Sequence, residues 1–136
     1  MESSTLRNLP LFEGLSDDVV QAWADRFQEQ DMLAGTALAR EGEFAYKFFV
    51  VLDGEVEVQH GFEHAATLGP GDFFGEMGVM SGGRRNARIL ATNRCQVAWM
   101  MGWDFEAMLE EHPEIANRIQ AVVDERMATL PDDAPG

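Results

Sequence analysis

The sequence predicts a mainly β domain with flanking helices: a jelly-roll (double-stranded β-helix) with one N-terminal helix and two C-terminal helices. Three observations carry this. Helical periodicity is confined to the two ends of the chain. Residues 29–101 are cut into runs of five to eight residues by glycine-containing turns. Several of those runs alternate apolar and polar side chains, the signature of half-buried strands.

The N-terminal helix is expected to start at Ser16, a good cap, with Asp17 and Asp18 in the first turn where the helix dipole favours acids. Val20, Trp23, Ala24 and Phe27 then fall on one face. The preceding LPLFEGL reads as a packed turn. Turn signals follow at Ala34-Gly35, Glu41-Gly42, Asp53-Gly54, His60-Gly61, Gly69-Pro70-Gly71 and Ser81-Gly82-Gly83. Val56 and Val58 share one face of a strand whose other face holds Glu55 and Glu57. Asp53-Gly54, between FFVVL and EVEVQ, predicts a hairpin. Cys95, Val97, Trp99 and Met101 alternate with Gln96, Ala98 and Met100 in the last strand. Many short strands with tight turns suit a jelly roll.

Of the closing helices, the first presents Phe105, Met108 and Leu109 on one face. His112-Pro113 ends it, and Pro113 can serve as the first residue of the next helix. There Ile115, Ile119, Val122 and Val123 form a stripe suited to core, lid or dimer seam. The domain is read as residues 1–127, with 128–136 as a flexible tail.

Composition narrows the function. At 136 residues and 46% hydrophobic, the chain fits one globular domain. The N-terminus has no signal-peptide character and no apolar run suits a membrane span, so a cytoplasmic setting is expected. A single cysteine, Cys95, excludes an internal disulfide and reads as a small buried apolar residue. His60, His64 and His112 are scattered, and no cupin-like metal set or nucleophile–base pair appears, so neither a metal nor an enzymatic role is expected. Trp23, Trp99 and Trp103 read as core or edge packing.

Net charge is −14, which argues against nucleic-acid partners. The charge is uneven. Residues 77–103 hold Arg84, Arg85, Arg88 and Arg94 but none of the 24 acidic residues, so this stretch carries +4 and the remainder −18. An acidic protein with one acid-free basic stretch suits local anion binding, although a basic surface loop has the same composition.

The segment GPGDFFGEMGVMSGGRRNARILA, residues 69–91, carries the chemistry. Gly75 allows close backbone approach to a ligand. Met77-Gly78-Val79-Met80 can form one helical turn with free N–H groups for an anion. Arg85 offers a fork of donors to a phosphate. Glu76 beside that anion needs a hydroxyl to bind, and a sugar supplies one.

Together, Phe74-Gly75-Glu76 and Arg85-Asn86-Ala87, with Glu76 and Arg85 nine residues apart, resemble the phosphate-binding cassette of the cyclic-nucleotide-binding domain family. The double Arg looks closest to cAMP-binding regulatory and channel domains, including cyclic-nucleotide-gated and hyperpolarisation-activated channels. The resemblance covers about residues 5–127, including the turn glycines and the LPLFEGL segment. It implies binding of cAMP or cGMP, cAMP first, with no other cofactor. Arg85 would pair with the cyclic phosphate, with Gly78 and Ala87 N–H groups aimed at its oxygens. Glu76 would accept from the ribose hydroxyl, and Met77 would open the turn beside it. Asn86 would touch purine or phosphate, while Phe74 and Val56 or Val58 wall the base. The last helix would be a lid with Arg118, Val122 or Arg126 as caps. Arg84 and Arg88 depart from the family pattern, where Pro and a hydroxyl residue are usual. The implied partners are a cyclic nucleotide and an effector protein or domain, with a homodimer through the C-terminal helix an open arrangement. The alternative is a domain of the same fold that has lost its ligand and serves protein interaction or dimerisation.

Overall fold

The computed structural model describes residues 1–40, 46–61, 63–75 and 87–129. Its elements run α1 (Ser3–Arg7), a 3-10 turn (Pro10–Phe12), α2 (Asp17–Ala24), β1 (Gln28–Met32), β2 (Ala37–Ala39), β3 (Lys47–Asp53), β4 (Val56–His60), β5 (Glu63–Leu68), β6 (Phe73–Phe74), β7 (Arg88–Ala91) and β8 (Cys95–Met101). Helices α3 (Gly102–Glu111) and α4 (Pro113–Thr129) follow. The last helix is thus described two residues into the segment read as tail.

The strands form two antiparallel sheets, β1-β8-β3-β6 (sheet A) and β2-β7-β4-β5 (sheet B). The pairings β1–β8, β2–β7, β3–β6 and β4–β5 are nested, as in a long antiparallel ribbon folded over on itself. Cross-pairs β3–β8 and β4–β7 then complete the sheets. That nesting is the jelly roll predicted from the turn pattern.

Sheet A has two buried faces because it stands between sheet B and the helices. Phe48, Val50, Phe73, Ala98 and Met100 point toward the helices. Phe49, Val51, Phe74, Cys95 and Val97 point into the roll. The last strand is therefore apolar on both sides, and its two alternating sets serve different cores. On the helical side, Phe48 stacks on Phe105 with ring centroids 4.3 Å apart. Ile115 and Ile119 of α4 and Leu6, Phe12 and Phe27 close this core.

Local expectations at the ends hold. The Ser16 side chain accepts from Val19 N–H at 3.4 Å, and Val20, Trp23 and Ala24 are buried. The helix stops at Ala24, and Phe27 reaches the core from the turn leading to β1. Pro113 opens α4. Helix α1 was not expected; it carries one buried apolar residue, Leu6, too few to give a period. The terminal amine of Met1 donates to Ala24 O at 3.2 Å and ties this end to α2.

The hairpin predicted at Asp53-Gly54 is a correction. β3 and β4 belong to different sheets, so this turn carries the chain across the roll. Gly54 has φ +82°, and a Cβ there would lie 2.6 Å from Arg94 O. Glu55 N–H donates to Asn93 Oδ1 at 2.9 Å, and Thr92 N–H donates to Glu55 O at 3.1 Å. The corner is thereby bonded to the β7–β8 connection rather than to a hairpin partner. The actual local hairpin is β4–β5, with His60 opposite Glu63.

Candidate functional site

The roll interior is an apolar core packed between the sheets. Val56, Val58 and Ile89 of sheet B face Phe49, Val51 and Phe74 of sheet A. Strand β6 is two residues long and is held by Phe49↔Phe74 and Val50↔Phe73 pairing with β3. Its alternation sends Phe73 to the helical core and Phe74 into the roll. Phe74 lies on Phe49 with centroids 4.7 Å apart and planes 9° apart. Gly75 then turns the chain with φ +90°, a left-handed conformation that side-chain-bearing residues rarely adopt.

The other arm of the cassette returns at Ala87, buried in the same apolar cluster as Phe74, Val56 and Val58. Strand β7 follows, with Ile89 opposite Val58 and Arg88 opposite Gln59. The arms thus end on opposite sheets, Gly75 beyond sheet A and Ala87 before sheet B. Among the predicted site residues, the structure brings Phe74 and Ala87 together with both candidate wall residues. Glu76, Met77, Gly78, Arg85 and Asn86 lie outside the described residues.

The candidate lid residues sit on the helical side of β6. Arg118 donates from Nη1 to Leu11 O at 2.9 Å. Val122 is half-buried against the helical core. Both border a cavity of about 290 Å³ with Pro10, Leu11, Gly71 and Phe73. Arg126 donates to the Phe73 carbonyl, and its guanidinium lies 4.8 Å from the centre of the Phe73 ring. These contacts meet Phe73, on the reverse face of the strand from Phe74.

Two further features concern charge. On β4 and β5, His64 Nδ1 lies 2.6 Å from Glu57 Oε2, and Gln59 Nε2 donates to Glu57 Oε1. These hydrogen bonds, His64 first, hold the Glu57 carboxyl below its ordinary 4.5. Cys95 is buried, as expected; burial, and secondarily Asp53, pushes its thiol up, away from the reactive thiolate.

Sequence reasoning did not single out Phe49 as a floor for Phe74, or Phe73 as the contact of Arg126. The signal was present in the parity of the two strands: adjacent Phe residues in each must face opposite sides.

A profile of the cyclic nucleotide-binding domain matches residues 29–112. The chain is 30% identical over 125 residues to a cyclic nucleotide-gated potassium channel of Rhizobium etli, covering 92% of this chain and 35% of the channel. It superposes on the crystal structure of the Thermus thermophilus catabolite activator protein with a TM-score of 0.77 at 26% identity, covering 88% of this chain and 58% of that one. Against cAMP-bound PfPKA-R the TM-score is 0.85 at 23% identity, covering 95% and 45%, a likeness of fold. The chain spans about a third of the length of the channels it matches.

Proposed function

This chain belongs to the cyclic nucleotide-binding domain family, and we propose that it binds a cyclic nucleotide reversibly, cAMP in first place, as a regulatory module acting on an effector. The observation that carries this reading is the seating of the cassette arms. Phe74–Gly75 and Ala87 reach the same apolar interior from opposite sheets. The sequence between them supplies one carboxylate and one guanidinium nine residues apart.

In this reading Arg85 forms a charge-assisted pair with the cyclic phosphate, and the Gly78 and Ala87 N–H groups donate to its oxygens. Glu76 accepts from the ribose 2′-hydroxyl beside Gly75, with Met77 opening the turn. Asn86 contacts purine or phosphate, and Phe74 with Val56 or Val58 packs on the base. Helix α4 is the lid. Its Arg126 already holds Phe73, the residue before Phe74, so a shift at Gly75–Glu76 is felt at the helix. The signal is a population shift set by differential affinity for the two helix positions.

Calorimetry with cAMP, cGMP and linear 5′-AMP tests the reading. Saturable one-to-one binding of cAMP, weaker binding of cGMP and none of 5′-AMP is expected. Absence of heat with any cyclic nucleotide contradicts it. That result would favour the second reading, an interaction module without ligand, to which Arg84 and the half-buried Arg88 lend support as departures from the family pattern.

A further inference from the structure

On the helical side of sheet A, away from the roll interior, we infer a docking surface centred on Trp103 for a basic segment of a partner protein that carries an apolar anchor. Trp103, the second residue of α3, is 66% exposed, and Tyr46 is 62% exposed. Gly102 N–H donates to Tyr46 O at 2.8 Å, so the backbones of Tyr46 and of the residue before Trp103 are joined. The expected packing role fails for Trp103, while Trp23 is 3% exposed and packed in the helical core. Large rings left in water forgo burial energy, and exposed aromatics are side chains that anchor protein interfaces.

The surroundings specify the partner's charge. Helices α2 and α3 together contain Asp17, Asp18, Asp104, Glu106, Glu110 and Glu111 and no basic residue. Arg7 pairs with Asp17, and Arg26 pairs with Asp104 at 2.7 Å. Asp18, Glu106, Glu110 and Glu111 have no ion pair among the described residues. Glu106 and Glu110 follow Trp103 at helical spacing on the exposed side of α3. Asp18 and Glu111 line a groove of about 400 Å³ beside Trp23 and Arg26, and Arg26 is bonded to Asp104, the residue after Trp103.

The occupant that fits is a positively charged segment that lays one apolar side chain on Trp103 and its cations along Glu106, Glu110 and the groove. A second copy of this chain, at −14, is repelled, as is an anionic lipid or nucleic acid. The surface stands independently of the ligand reading, since none of these residues lies in the roll.

The test uses a synthetic amphipathic peptide with Lys and Leu at helical spacing, and the same peptide with Glu in place of Lys. Trp103 is the most exposed of the three tryptophans, with Trp99 half-buried and Trp23 buried, so the acrylamide quenching that is lost in Trp103→Ala reports its cover. Saturable binding of the Lys peptide, with reduced quenching, is expected. Trp103→Ala should weaken it roughly tenfold or more, as should Glu106→Lys with Glu110→Lys. The Glu peptide should not bind. Thermal melts of the variants should match the parent, because these side chains are exposed. Equal affinity in Trp103→Ala, binding of the Glu peptide, or no saturable binding overturns the assignment. So does sedimentation showing self-association that Trp103→Ala abolishes, which would give the face to a second copy.

Discussion

Phe73 and Phe74 are neighbours in the chain yet serve two different regions. Phe73 joins Phe48, Phe105 and the α4 helix in a core closed by side chains of the same chain. Phe74 joins Phe49, Val56 and Ala87 in the roll interior, where the cassette arms arrive. The first region is structural. The second holds apolar walls at the two ends, Gly75 and Ala87, of the segment that the sequence marks for ligand binding. One pleated sheet serves both because successive side chains alternate sides.

Substitutions should separate the regions. The largest effect is expected at Phe48, fully buried and stacked on Phe105. Phe48→Ala should cost about 3–5 kcal/mol in urea unfolding while cAMP affinity of the folded fraction stays near the parent's. Phe74→Ala should lose both stability and affinity. If Phe48→Ala instead reduces affinity as much as Phe74→Ala, the two faces are not functionally distinct.

The sheet corner gives a smaller effect. Gly54→Ala combines φ +82° with a Cβ at 2.6 Å from Arg94 O. It should cost about 1–3 kcal/mol. Gly14→Ala, with the same φ and open space around it, should cost less. Thermal denaturation of the pair reads the difference. At the N-terminal end, Ser16→Ala removes the cap of α2 and should cost about 1 kcal/mol without changing ligand affinity.

The smallest effect is the pH dependence from Glu57. Its carboxyl is held below 4.5 by His64 and Gln59. A depressed carboxylate contributes stability that is present above its unfolded value and lost as pH falls through the folded one. The parent should therefore melt slightly above Glu57→Gln near neutral pH, with the gap closing as pH drops below 4.5. A gap that widens in acid would contradict this sign.

Much of the fold was legible in the sequence because local rules decide it. Ser16 caps a helix, Pro113 opens one, and Val56 and Val58 share a buried face. The pairing of the strands was not legible. Asp53-Gly54 has hairpin chemistry, but the flanking strands are buried on separate sheets, and the nested pairs join residues as distant as Gln28 and Trp99. Such register follows from closing the roll, which no short window contains. Leu6 similarly gains its place only from contacts with the rest of the helical core. For the site, residue types and spacing were readable, whereas the stacking of Phe74 on Phe49 and the hold of Arg126 on Phe73 depend on tertiary packing.

The central claim, that an anionic ring is gripped at Arg85 beside the roll interior, is tested most directly by titrating cAMP calorimetrically into the parent and Arg85→Ala. Loss of one charge-assisted contact should weaken binding by about 1.5–3 kcal/mol, or roughly ten- to more than hundredfold, with the unliganded melting temperature unchanged. Equal affinity in the two proteins would contradict it.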